Sequence, residues 1–88
     1  MTKKYLISYN LKTPNWNYTG FFSALKNIGP WWHYLDTTWI IKTNYSSAQE
    51  VYMIIAPHIS RGDLILVTEI TGTSFGWLPQ DAWTWLNN

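Results

Sequence analysis

The side chains able to do chemistry in this chain are few and widely spaced. His33 stands within Trp31-Trp32-His33-Tyr34, and His58 follows Pro57. Imidazole is the side chain best suited to move a proton near neutral pH. Neither histidine sits in an H-x-x-H or H-E-x-x-H pattern, so no metal-ligand spacing is written along the chain. His33 is read first as half buried on a sheet, and His58 as a solvated loop residue. Asp36 and Asp63 are the acids nearest the expected strand ends, and each suits a turn residue that bonds its own backbone two residues on. Arg61-Gly62-Asp63 reads as a turn with an adjacent ion pair. Asn10 closes the first expected strand, a place where α/β proteins often put an active group. Its neutral amide cannot act as a base and binds divalent metal weakly, so a turn role is favoured. No G-x-S-x-G elbow and no glycine-rich phosphate loop occur. Cysteine is absent, which removes disulfides, thiolate metal sites and a cysteine nucleophile.

Binding is the other chemistry on offer. Exposed aromatic rings stack nucleobases, and lysines meet phosphates. Lys3, Lys4, Lys12 and Lys42 lie near expected strand ends beside loop aromatics. With Tyr9 and Trp16 they form the candidate nucleic-acid-binding set. The competing reading puts most of the aromatics in the core and in an interface between copies. Trp and Tyr are enriched at interfaces because they bury large area while keeping a polar handle. For the tryptophans as a group, that second reading is favoured.

The composition bounds these options. The chain has 88 residues, 47% of them apolar and 12% charged. That describes one folded domain rather than a disordered tail. Seven Trp, six Tyr and three Phe give an aromatic share of 18%, and large rings help a small domain bury enough surface. A formal net charge of +1 excludes the broad basic footprint of a non-specific DNA coater but leaves room for a small local site. No apolar run approaches the roughly 18 residues of a membrane span. The stretch after Lys3-Lys4 is too short and polar for a signal peptide, so a cytoplasmic location without membrane contact is expected.

The elements that must position these groups follow from periodicity. Lys4 to Leu11 reads as a strand with Tyr5, Ile7 and Tyr9 on one face. Tyr18, Phe21, Phe22, Leu25 and Ile28 make one helical stripe, with Asn17 as N-cap. Gly20 is expected to permit close approach to the sheet, and Gly29 to take a positive φ at the C-cap before Pro30. Trp32 to Leu35 and Thr38 to Lys42 read as strands reversing at Asp36-Thr37, with a bulge or a bent ribbon as the alternative. Ser47 and Glu50 form a capping box for a helix from Ala48 to Ala56. Leu64 to Ile70 is the last clear strand. Phe75 to Leu78 is a short fifth strand or an extended arm, and Gln80 to Leu86 a helical turn.

The order β-α-β-β-α-β predicts an α+β, ferredoxin-like antiparallel sheet with two helices on one face, plus residues 72–88 as an aromatic C-terminal extension. The first and fourth strands, apolar on both faces, are expected side by side in the middle. Helices cover only one sheet face, so the other must be covered by the tail or by a second copy. The second copy is favoured, which predicts a homodimer.

Tyr5-Leu6-Ile7-Ser8-Tyr9-Asn10-Leu11, Leu25-Lys26-Asn27-Ile28-Gly29, Trp32-His33-Tyr34-Leu35-Asp36-Thr37-Thr38-Trp39-Ile40-Ile41, Asp63-Leu64-Ile65-Leu66-Val67 and Gly76-Trp77-Leu78 form a set. It resembles the small SinR-like proteins. These are themselves similar to the CRISPR-associated spacer-acquisition subunit with a ferredoxin-like fold. The resemblance implies a homodimer built on open sheet faces, often with the C-terminal strand reaching to the neighbour, and Phe75 to Leu78 matches that strand. Some relatives are described as metal-dependent nucleases, others as partners that hold nucleic acid. The nuclease alternative that this implies is a metal-dependent endonuclease in which Asp36 ligates Mg²⁺ or Mn²⁺, a bound water attacks an RNA or DNA phosphodiester and His33 shuttles the proton. The relatives' metal-ligand candidate is an aspartate directly after the tyrosine of the first strand, and here that position is Asn10. The expectation is therefore a non-catalytic homodimeric interaction or nucleic-acid-associated protein, with no resident metal.

Overall fold

The computed structural model describes residues 2–88. The elements are β1 (Lys3–Asn10), α1 (Thr19–Ile28), β2 (Trp31–Leu35), β3 (Thr38–Thr43), α2 (Ala48–Ile55), a 3-10 turn (Ala56–His58), β4 (Leu64–Ile70) and α3 (Gln80–Leu86). The four strands form one antiparallel sheet in the order β2-β3-β1-β4. The β1–β3 register sets Tyr5 opposite Ile41 and Ile7 opposite Trp39. These side chains, with Tyr9, share one face and pack against Phe21 and Leu25 of α1 and Val51 and Ile55 of α2. The helical stripes of both helices are thus spent on the same sheet face.

Local chemistry sets the boundaries. Ser47 caps α2 by accepting the Glu50 N–H at 3.2 Å, as a capping box requires. The reciprocal half differs from expectation: the Glu50 carboxylate takes the Ser46 hydroxyl, not the Ser47 amide. The Asn17 side chain accepts the Thr19 N–H at 3.0 Å, one position ahead of the Tyr18 N-cap. The hairpin turns at Asp36-Thr37, and its register slips between Trp32 and Leu35, which is the bulged alternative.

Gly29 corrects its prediction. Its φ is 169°, extended backbone open to any residue. Glycine is required there for another reason, because a Cβ would stand 2.0 Å from the Lys42 carbonyl oxygen. The end of α1 is pressed against β3, and the buried Thr43 hydroxyl donates to the Ile28 carbonyl at 3.2 Å. Gly20 also allows a close approach, but to the His58 ring rather than to the sheet.

The sheet order corrects a second expectation. β1 and β4 are neighbours, yet the two central strands are β1 and β3, and β4 is an edge. The apolar content of β4 on both faces suggested a central position. It instead leaves Leu64 and Leu66 57% and 61% exposed.

Of the two readings of Phe75 to Leu78, the fifth strand is not formed: the segment pairs with no strand and is an arm with Phe75 and Trp77 exposed. α3 folds back onto the second sheet face, where Ala82 and Leu86 meet Trp32 and Ile40, flanked by Ile70, Leu78, Trp83 and Trp85. The Trp32 indole N–H donates to the Ala82 carbonyl at 3.2 Å. The chain's own tail, not a second copy, therefore covers the β2–β3 half of that face. Among the described residues, no helix is long and apolar enough to cross a membrane.

Candidate nucleic-acid interface

The structure divides the expected binding set between the two ends of β1, about 23 Å apart at strand rise. Lys3, Lys4 and Lys42 lie at one end. The Lys3 ammonium donates to the Ser46 carbonyl at 2.9 Å and stands 3.8 Å from Glu69. Lys4 and Lys42 are directly opposed across β1 and β3, a like-charge pair that is unfavourable by itself. The C-terminus of α3 resolves it. Lys4 donates to the Leu86 carbonyl, and Lys42 donates to the carbonyls of Trp85 at 2.8 Å and Asn88 at 3.3 Å. Lys42 also lies 4.2 Å from the Trp85 ring centroid. Cations at the carbonyl end of a helix are stabilising. Burial, and then repulsion from Lys4, lower the Lys42 pKa from its ordinary value. These two lysines hold a helix in place rather than standing free for phosphate.

Tyr9, Asn10, Lys12 and Trp16 lie at the other end. Tyr9 is core rather than a stacking platform. Its ring meets Phe21 edge-on at 5.1 Å and 84°, and its hydroxyl accepts the Trp39 indole N–H at 2.9 Å. Burial raises its pKa, with the Trp39 bond opposing. Asn10 is exposed and pairs with Leu64 on the open face of the sheet. Beside it is a shallow depression lined by Ser8, Thr37, Leu64 and Leu66.

Asp36 and His33 do meet, though not through the carboxylate. The His33 Nε2 donates to the Asp36 backbone carbonyl at 3.0 Å, and the imidazole stacks on Trp39 at 4.3 Å and 18°. Among the described residues, no three His, Cys, Asp or Glu side chains gather closely enough to hold a metal ion. The nuclease scheme of Asp36, His33 and Mg²⁺ or Mn²⁺ is left without an assembled ligand set among them.

Asp63 has a larger role than a turn. It is buried, and its carboxylate accepts the Lys12 N–H at 2.7 Å, the Ser60 N–H at 2.8 Å and the Tyr18 hydroxyl at 2.7 Å. Burial alone would raise its pKa; the hydrogen bonds, led by Lys12 and Ser60, hold it below the ordinary value. The Tyr18 pKa is raised, by burial first and then by the bond to Asp63. The expected Arg61–Asp63 ion pair gives way to this clasp, which ties the loop after β1 to the loop before β4.

The clasp assembles a corner from two of the expected binding residues, Lys12 and Trp16, and from Arg61, which is outside that set. Trp16 is 42% exposed, and its indole N–H donates to the His58 carbonyl at 3.1 Å. Lys12 and Arg61 are both exposed on the two loops that Asp63 joins. A Cβ at Gly62 would be 3.6 Å from the Thr13 hydroxyl, so the loops abut. No local pattern links Lys12 to Arg61; only the Asp63 clasp brings their segments together.

No family model, no curated protein and no solved structure matches this chain.

Proposed function

We propose that the chain is a non-catalytic, homodimeric, ferredoxin-like protein that associates with nucleic acid in the cytoplasm. The strand order β2-β3-β1-β4, with α1 and α2 on one face, supports the fold name. One observation carries the dimer. Leu64 and Leu66 stay more than half exposed on the sheet face that α3 only half covers, and the same chain carries an arm whose Phe75 and Trp77 are almost wholly in water. Burying a side chain of that size is worth roughly 1.5–3 kcal/mol. A second copy supplies a matching open face and a matching arm, the self-complementarity that a two-fold interface needs. β4 is also a sheet edge with backbone groups free to pair. The resemblance to SinR-like proteins points the same way, with Phe75 to Leu78 as the segment that reaches across.

Two observations support the non-catalytic part. Asn10 stands where those relatives carry a candidate metal-ligating aspartate, and His33 contacts the backbone of Asp36 rather than its carboxylate. Light scattering on a sizing column tests the dimer. Wild type should elute with the mass of two chains. Leu66→Glu, which puts a carboxylate from each copy into the contact, should elute as a folded monomer. A wild-type monomer at every concentration would reject the proposal.

A further inference from the structure

The six cationic side chains are not equivalent. Lys3 is bound to Ser46 and lies near Glu69, Lys4 and Lys42 hold the end of α3, and Lys26 lies 5.5 Å from the Trp31 ring centroid. Lys12 and Arg61 make no side-chain ion pair or hydrogen bond among the described residues, and they share the corner with the exposed ring of Trp16. The one carboxylate there, Asp63, is buried and turned onto the Lys12 and Ser60 amides and the Tyr18 hydroxyl. Even with its charge counted, two cations less one anion leave +1.

We propose that this corner binds single-stranded nucleic acid, with a base stacked on Trp16 and the adjoining phosphates on Lys12 and Arg61. This deepens the nucleic-acid part of the reading above and rests on it. The indole edge is fixed by the His58 carbonyl, so stacking costs little further ordering of the ring. A base can reach the ring only if it is unstacked from its neighbours, which selects a single strand over a duplex. Two free cations match one or two phosphates, not the longer phosphate track of a duplex coater. Trp31, an exposed tryptophan on β2, already has Lys26 beside it and Trp39 at 5.0 Å.

The test is fluorescence anisotropy of a labelled twelve-residue oligo(dT) or oligo(U) at about 50 and 200 mM salt. Two phosphate contacts on a single strand predict about a sevenfold loss of affinity between those concentrations. Lys12→Ala and Arg61→Ala should each reduce the salt dependence by about half. Trp16→Ala should weaken binding roughly 5- to 100-fold without changing the salt dependence. Trp16→Leu is a second variant should the alanine form fail to fold. Lys26→Ala should bind as wild type. Three results would overturn the proposal. If wild type binds no single strand at low salt, the nucleic-acid reading falls with the corner. If wild type binds and the triple variant Lys12→Ala/Arg61→Ala/Trp16→Ala binds equally well, the reading survives and the corner falls. Tighter binding of a duplex of the same length would remove the single-strand assignment.

Discussion

Donors from three parts of the chain converge on the Asp63 carboxylate: the Lys12 amide, the Tyr18 hydroxyl and the Ser60 amide. A charge taken out of water is tolerated only when hydrogen-bonded in this way. Asn at this position keeps the shape, loses the charge and turns a donor toward donors. Asp63→Asn should destabilise the fold by about 2 kcal/mol, read from urea unfolding at neutral pH. The pH dependence has a definite sign. The folded pKa lies below the unfolded one, so the unfolded chain binds more protons between the two values. The stability from Asp63 is complete above about pH 4 and is lost as pH falls through the lower native value. Acid titration of wild type should show that loss, and Asp63→Asn should lack it. Gly29 makes a steric point at the same scale. A methyl at this position meets the Lys42 carbonyl, so Gly29→Ala should cost about 1–3 kcal/mol although the backbone angle suits alanine. A Gly29→Ala variant as stable as wild type would show that α1 and β3 can separate freely.

Elements cooperate through the unusual placement of α3. It is a seven-residue helix, too short to be stable alone in water. Burial of Ala82 and Leu86 against Trp32 and Ile40 holds it, together with the two lysines at its carbonyl end. Leu86→Ala should therefore cost about 2 kcal/mol or more. Lys4→Ala should cost about 0.3–1 kcal/mol, since it removes one cation from the helix terminus while relieving repulsion on Lys42. Deleting residues 79–88 should expose Trp32 and Ile40 and give a chain that binds a hydrophobic dye. A truncated chain with wild-type stability and no dye binding would show that α3 is dispensable.

At the scale of the whole molecule, the Cα positions span 36 × 27 × 18 Å, a slab with one face finished and the other half finished. α1 and α2 complete the first face, and α3 covers the β2–β3 half of the second. The β4 half leaves Leu64 and Leu66 exposed, and the Phe75–Trp77 arm is exposed as well; the proposed second copy would pack there. An interface that forms only in the folded state makes stability depend on concentration. The thermal midpoint of wild type should rise with protein concentration, and that of Leu66→Glu should not. The corner of Lys12, Trp16 and Arg61 sits on loops at one end of the sheet, so Leu66→Glu would separate the proposed dimer from the proposed binding at Trp16.

The alternation of Tyr5, Ile7 and Tyr9, the stripe from Phe21 to Ile28 and the Ser47 cap were enough to write the element order, because period and capping are local properties. Residue types also limited the chemistry: no cysteine, no metal-ligand spacing, and Asn10 at the strand end. The position of β4 at an edge was not legible, because an apolar strand has the same sequence whether chain, copy or water covers it. The fates of Lys4 and Lys42 were not legible either, since their partners are carbonyls of a helix more than forty residues away in sequence. The corner of Lys12, Trp16 and Arg61 exists because one buried carboxylate binds two distant loops. Local propensity fixed what each segment becomes, while long-range hydrogen bonds and burial decided which segments stand side by side.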